Sequence, residues 1–291
     1  MDTTKLVRRP TPAAWHKEFK DKEVSVLSLV KDPGRNYQSG WISYRKELID
    51  SPEVEIISGG LSDRSPDGAA LWRQGHLLHF AFDLAPAEMN ETGKALLLNS
   101  IAYIARFTED RPIARTPSAW AGTNGTPRNK RWIEGWFATR APQDSELNGY
   151  LSPDLKAGIK EMDRVSYPKW YKENAPFLTC GADGRLLVDA NAKEFGITFD
   201  NPDFFPKALA RLGDPASAAK AHELLRRYAP ESPATGSAAE WTRWWETNRS
   251  YLFYSEAGSY RWYIDPLAKR RGIPSDKLRG PARATTMRSA E

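Results

Sequence analysis

Hydrophobic and polar positions first alternate, then recur at helical spacing, then lose any period, and these changes divide the chain. Glu23-Val24-Ser25-Val26-Leu27-Ser28-Leu29-Val30 has strand character and is closed by the turn signal Asp32-Pro33-Gly34. Val54-Glu55-Ile56-Ile57-Ser58 is a second such run, closed by Gly59-Gly60. Residues 69–73 and 76–82 flank Gln74-Gly75, which predicts a tight hairpin or a strand pair. A helix is predicted over residues 86–107. There Leu97, Ile101, Ile104 and Ala105 recur at helical spacing, with Leu96 and Leu98 widening the stripe. Glu88 and Glu91 suit the positive end of its dipole and Arg106 the negative end.

Residues 108–150 follow no period. Pro112, Pro117, Gly122, Gly125, Pro127 and Pro142 punctuate them, so they read as a connector. Trp120, Trp132, Trp136 and Phe137 need apolar surface to pack on, and the connector is expected to lie along one of the domains. Beyond it the pattern is mostly helical. Ser152-Pro153, Asn201-Pro202 and Asp214-Pro215 each place a capping side chain before a proline suited to the first helical position. Leu155, Ile159 and Met162 form one apolar face, Leu209 and Leu212 a second, and Ala218, Ala221, Leu224, Leu225 and Tyr228 a third. Ser237-Ala238-Ala239-Glu240 is a capping box that opens a helix through Trp241, Trp244, Trp245 and Asn248. The aromatic runs at 251–254 and 260–264 flank Glu256-Ala257-Gly258 and predict a hairpin.

Composition changes this picture little: 291 residues, 40% hydrophobic and 27% charged, suit two compact globular units. No run is long and apolar enough for a membrane span, and residues 1–10 lack the apolar centre of a secretory signal, so a cytoplasmic chain is expected. A chain that is the C-terminal piece of a longer protein would allow a periplasmic or secreted one. The net charge of +5 is concentrated at one end. Lys269, Arg270, Arg271, Lys277, Arg279, Arg283 and Arg288 face only Asp276 and Glu291 in residues 266–291, leaving 35 charges of each sign elsewhere. Such a basic tail is a solvated end or a weak contact for polyanions. From about Gly280 it is expected to lack regular structure.

Candidate chemistry is sparse. His76 and His79 stand three apart in an alternating run, so on a strand they face opposite sides and cannot jointly hold one ion. His79 and Asp83 share a face if the strand stays extended, and Glu88 follows at the helix start, where α/β folds place ligands. These three are the catalytic candidates. Cys180, the single cysteine, has no base nearby in sequence and reads as a strand end, and His222 on its Ala/Leu-rich helix reads as packing or surface. Trp241, Trp244 and Trp245 suit either sugar stacking or an aromatic core that joins helix to hairpin, with the core favoured. Phosphate loops, dinucleotide glycine patterns and paired-cysteine metal motifs are missing, so neither cofactor nor metal is expected.

Gly75-His76-Leu77-Leu78-His79-Phe80-Ala81-Phe82-Asp83, then Pro86-Ala87-Glu88-Met89, then the helix ending Asn99-Ser100-Ile101-Ala102-Tyr103-Ile104 resemble the end of a class I glutamine-amidotransferase-like domain, ThuA-like domains included. The resemblance covers roughly the first 110 residues and implies a flavodoxin-like, three-layer α/β arrangement. Active members carry Phe-His-Pro-Glu after this strand, where Phe82-Asp83-Leu84-Ala85-Pro86 stands here, and the nucleophilic cysteine of the family has no counterpart. About half the usual length of that fold is present. Glu173-Asn174-Ala175-Pro176-Phe177-Leu178, Leu187-Val188-Asp189 and the Tyr254 to Tyr260 ending, with Gly258, resemble a C-terminal region of long bacterial proteins, and this resemblance implies no activity.

The resulting expectation is a partial flavodoxin-like α/β domain over 1–110 and a Trp/Pro-rich connector over 111–150. A mainly helical domain with a small hairpin follows over 151–268, and then a basic tail over 269–291. The function expected is binding or assembly by a bacterial protein without catalysis. A ThuA-like activity or binding directed at carbohydrate is the alternative, and polyanion contact through the tail a third.

Overall fold

A computed structural model describes residues 6–34, 40, 42–45, 51–114, 149–159, 162, 165–181, 183–233, 236–256 and 258–276. The chain divides into two compact units, one of residues 1–49 and 53–112 and one of residues 50–52 and 113–291. The connector over 115–148 and the tail beyond 276, with the expectations placed on them, lie outside the described residues.

In the first unit β1 (Leu6–Pro10) pairs antiparallel with β2 (Glu23–Leu27), Leu6 opposite Leu27 and Pro10 opposite Glu23. Between them a single 3-10 turn, Ala13–Trp15, buries Trp15, whose indole N–H donates to the Ser62 carbonyl at 2.7 Å. The short strand β3 (Ser43–Tyr44) pairs with β5 (Gly68–Ala69). The main sheet is antiparallel, in the order β4 (Val54–Ser58), β6 (Leu71–Gln74), β7 (Leu77–Phe80). The predicted hairpin forms, but its turn lies one residue later than the Gln74-Gly75 signal placed it: Gln74 ends β6, and the turn is Gly75-His76, with Gly75 at φ +57°. A Cβ there would also lie 2.5 Å from the Asp110 carbonyl, so no side chain fits.

The helix predicted over 86–107 exists in three pieces. A 3-10 turn, Pro86–Glu88, comes first, then α1 (Glu91–Ile104), then a second 3-10 turn, Ala105–Phe107. Asn90 causes the break. Its backbone is extended, its Oδ1 accepts from the Gly93 N–H at 2.8 Å to cap α1, and its amide donates to the Ser28 carbonyl at 2.8 Å. Gly93 lets the first turn of α1 lie on the chain after β2, since a Cβ would meet the Leu29 carbonyl at 2.5 Å.

The second unit carries most of the helix. Its elements are α2 (Pro153–Ile159), α3 (Ser166–Asn174), the hairpin β8 (Leu178–Cys180) and β9 (Leu186–Val188), α4 (Ala190–Phe195), α5 (Phe204–Arg211), α6 (Ala218–Tyr228) and α7 (Ala238–Asn248). The predicted aromatic hairpin follows as β10 (Leu252–Ser255) and β11 (Arg261–Ile264), and then α8 (Pro266–Arg271). The core holds Phe199, Phe204, Phe205, Tyr228, Trp241 and Tyr260, all under 2% exposed. Ser152 caps the first turn of α2, and both halves of the Ser237 capping box form, with Glu240 N–H to Ser237 Oγ at 3.3 Å and Ser237 N–H to Glu240 Oε2 at 2.7 Å.

Two predicted helix starts are corrected. Asn201 and Asp214 close turns instead, accepting from Asp203 N–H at 2.9 Å and Ala216 N–H at 3.1 Å, and the helices begin later, at Phe204 and Ala218. Asx turns and N-caps use the same residue types, which is why sequence alone confuses them.

The chain is α/β in the broad sense, mixing helices with small sheets. Every strand pair among the described residues is antiparallel, and parallel pairing occurs there only as the isolated bridge of Leu151 with Leu186.

Candidate functional site

The register of the main sheet decides what each of its faces can do. Glu55 opposes Arg73 and Arg73 opposes Leu78, so these three share one face, while Ile56, Trp72 and His79 share the other. On the first face Tyr103 of α1 donates its hydroxyl to Glu55 Oε2 at 2.6 Å, and Arg73 Nε donates to the same oxygen at 2.7 Å. The Arg73 guanidinium lies 3.7 Å from the centre of the Phe107 ring. Burial alone would raise the Glu55 carboxyl, but the bonds from Tyr103 and Arg73 and the charges of Arg73 and Arg106 outweigh it and hold it below its ordinary value. Burial, and then the Glu55 carboxylate, push the Tyr103 phenol up. This cluster clamps α1 to the sheet.

The clamp fixes which side of α1 faces outward. Gly93 and Ser100 are buried, and Leu96, Leu97, Tyr103 and Ile104 are half-buried on the same side. Opposite them Glu91, Ala95, Leu98, Ala102 and Ala105 are all exposed, spaced four, three, four and three apart, with Ile101 beside them. Leu98 is 65% exposed and Ile101 57%. A straight seam of that spacing is what one helix presents to another in a coiled coil, and its alanines allow close approach. The stripe read from sequence is therefore split. Leu97 and Ile104 face the protein, whereas Ile101 and Ala105 face away.

The catalytic candidates fall on two elements and the loop between them. His79 is half-buried on β7 with its ring 5.4 Å from that of Trp72. Strand β7 ends at Phe80, so the extended run that would give His79 and Asp83 a common face stops before Asp83, which is exposed. Glu88 is half-buried in the 3-10 turn, where its carbonyl accepts from the Lys31 N–H at 2.9 Å. His76 sits in the hairpin turn, with Nδ1 buried and making no hydrogen bond. Among the described residues no three His, Cys, Asp or Glu side chains gather where an ion could be held.

In the second unit Trp241 is buried, and Trp244 and Trp245 are half-buried. The Trp245 ring stacks on Phe205 at 4.6 Å and 18°, and Trp244 packs at 5.8 Å from the same ring. These contacts belong to an aromatic core. Cys180 ends β8 and its thiol points at the Gly184 carbonyl, 3.7 Å away, while His222 is half-buried on α6.

Sequence reasoning passed over the strongest polar group of this unit. Asp189, 1% exposed, caps α4 through the Ala192 N–H at 3.0 Å. It also accepts from Tyr228 Oη at 2.8 Å and from Arg227 Nη1 at 2.7 Å. Burial would lower the Arg227 guanidinium, but the charges around it, Asp189 foremost, hold it above its ordinary value. Burial, seconded by Asp189, pushes the Tyr228 phenol far up. Every member is partnered, so the group locks α4 to α6. The usable signal was an Asp ahead of a short Ala-rich helix.

Comparison of the chain with known protein families, with curated proteins and with solved structures finds no significant match.

Proposed function

We propose that the chain acts by binding and assembly, without catalysis, and that the outward seam of α1 pairs with the same seam of a second copy. The observation that carries this reading is the exposed run Ala95, Leu98 and Ala102 at coiled-coil spacing on α1, continued by Ala105 in the 3-10 turn after it, with the other side of the helix clamped by Glu55 and Arg73. Glu91 opens the seam, paired to Lys94 at 2.8 Å, while Arg106 past its last alanine lies over the Tyr103 ring on the clamped side. An antiparallel pair about a twofold axis sets Ala95 of one copy against Ala102 of the other. Four helical turns bury less than the ~800 Å² per partner of a standard interface, so the association is reversible.

The family resemblance belongs to this proposal. A hairpin, a short turn and a closing helix follow in that order, as at the end of an amidotransferase-like domain. The flavodoxin-like three-layer arrangement is the finer form of the same reading, and it would need a parallel sheet where the described strands pair antiparallel. In place of the catalytic His and Glu of that family, Asp83-Leu84-Ala85 follow Phe82, which supports a binding role.

Sedimentation velocity from low micromolar to near-millimolar protein tests the reading. The sedimentation coefficient should rise with concentration, and Leu98→Asp with Ile101→Asp should abolish the rise without changing the circular dichroism. A coefficient that stays monomeric throughout would refute self-assembly through α1.

A further inference from the structure

The second unit carries a different exposed surface, independent of α1. Helix α8 is short but firmly held. Asp265 caps it, accepting from Leu267 and Ala268 N–H at 3.0 Å each, and Ser275 Oγ donates to the other Asp265 oxygen at 3.3 Å. Ala268 is fully buried beneath it, and Gly272 ends it at φ +64°. Outward it shows Lys269, Arg270 and Arg271, together with Leu267, 42% exposed, and Ile273, 39% exposed, just past its end. Leu267 stands three and four residues before Arg270 and Arg271, so the apolar and basic groups share a side.

The turn Arg249–Tyr251 packs against this helix. Lys269 Nζ donates to Asn248 Oδ1 at 2.7 Å and the Asp265 N–H to the Tyr251 carbonyl at 2.8 Å, which brings the exposed Arg249 alongside. Arg249, Arg270 and Arg271 hold no carboxylate among the described residues, a condition they share with Lys172 and Arg226 of the same unit, so it is their clustering beside Leu267 and Ile273 that distinguishes them. The sequence then adds Lys277, Arg279, Arg283 and Arg288. Cations at a helix C-terminus answer its dipole. That accounts for part of the charge, and the helix end, where the Ile273 N–H donates to the Ala268 carbonyl at 3.1 Å, sets Ile273 back beside Leu267, yet the two stay 39% and 42% exposed.

We infer that α8 and the 249–251 turn form a docking surface for an anionic lipid bilayer. Arg249, Arg270 and Arg271 meet headgroup phosphates, and Leu267 and Ile273 enter the boundary of the acyl layer. A bilayer surface uses charge and apolar contact together. A nucleic-acid backbone rewards the arginines and leaves the leucine and isoleucine without a partner. No helix among the described residues is long and apolar enough to cross a membrane, so the contact is peripheral.

Co-sedimentation of the whole chain with vesicles tests this, using phosphatidylcholine alone and phosphatidylcholine with phosphatidylserine. Binding is expected only to the anionic vesicles and should weaken as salt is raised. Arg270→Glu and Arg271→Glu should each lower partitioning about fivefold or more. Leu267→Ser with Ile273→Ser, which leaves the charge unchanged, should also lower it. Equal binding to both vesicle types, or binding untouched by these substitutions, would overturn the inference. So would tighter binding to a labelled oligonucleotide that depends on the arginines and ignores Leu267 and Ile273. Because α1 is untouched in every variant, loss of vesicle binding with self-association intact separates this surface from the assembly seam.

Discussion

Tyr103 on α1 and Glu55 on β4 are joined by a 2.6 Å hydrogen bond across 48 residues of sequence, with Arg73 on the same carboxylate oxygen from the adjacent strand. The bond sets the rotation of α1 about its own axis, and so sends Leu98 and Ile101 outward. The outward stripe of α1 thus lies opposite this polar contact.

Tyr103→Phe should cost about 1 kcal/mol, below the ~1.5–3 kcal/mol of a bond to a charged group, because water reaches the Glu55 carboxylate. The pH dependence has a definite sign. The folded Glu55 carboxyl titrates below its ordinary value of 4.5, so its stabilisation is present above that value and is lost as pH falls through the lowered one. Denaturant unfolding across the acid range should show a shallower acid loss in Tyr103→Phe than in the parent.

Asp189→Ala should destabilise the second unit by about 2–4 kcal/mol, since it removes a helix cap and leaves Tyr228 and Arg227 without their shared acceptor. Tyr228→Phe should cost about 1–2 kcal/mol, with Asp189 still held by Arg227 and the Ala192 N–H. At the alkaline end the sign is reversed. Burial raises the Tyr228 phenol above its ordinary 10.0, so its contribution is complete below that pH and is lost as pH rises through the raised value. Phenolate absorbance from this residue should appear together with loss of the circular dichroism signal, not before it.

Gly75→Ala should destabilise the first unit by about 1–3 kcal/mol, through a positive φ and a Cβ driven into the Asp110 carbonyl. Thermal unfolding checks it. A neutral result would mean that the 110–112 segment does not rest on the hairpin turn.

His79→Ala, Asp83→Ala and Glu88→Ala should leave no enzymatic deficit, because the reading assigns them no turnover. His79→Ala should lose about 1 kcal/mol of stability with its tilted ring contact to Trp72. A glutaminase or glycoside-directed activity that disappears with any one of the three would sink the binding-only reading.

Much of the fold was legible because local chemistry and tertiary structure agreed. The Gln74-Gly75 hairpin, the Ser237 capping box and the aromatic hairpin needed only neighbours in sequence to be read. Strand β1 was missed, since Leu6-Val7-Arg8-Arg9-Pro10 has a strand's backbone partner in β2 but no alternating apolar face. Asn90 was read as part of a helix that it in fact begins, because its bond to the Ser28 carbonyl spans 62 residues. The α1 seam was hidden for a related reason. The helix is apolar around most of its circumference, so periodicity alone could not say which of its stripes the sheet would cover. Tyr103 decides that, through Glu55, a residue that sequence placed merely inside a strand.

Cross-linking through α1 tests the central claim most directly. In a Cys180→Ser background, Ala95→Cys and Ala102→Cys chains are made separately, mixed and oxidised mildly, with an Ala239→Cys chain as an exposed control on α7. Antiparallel pairing of the seam predicts that the disulfide forms between Ala95→Cys of one copy and Ala102→Cys of the other, well ahead of either chain with itself or with the control. Cross-links no more frequent than those of the control, or links formed equally within each single variant, would contradict it.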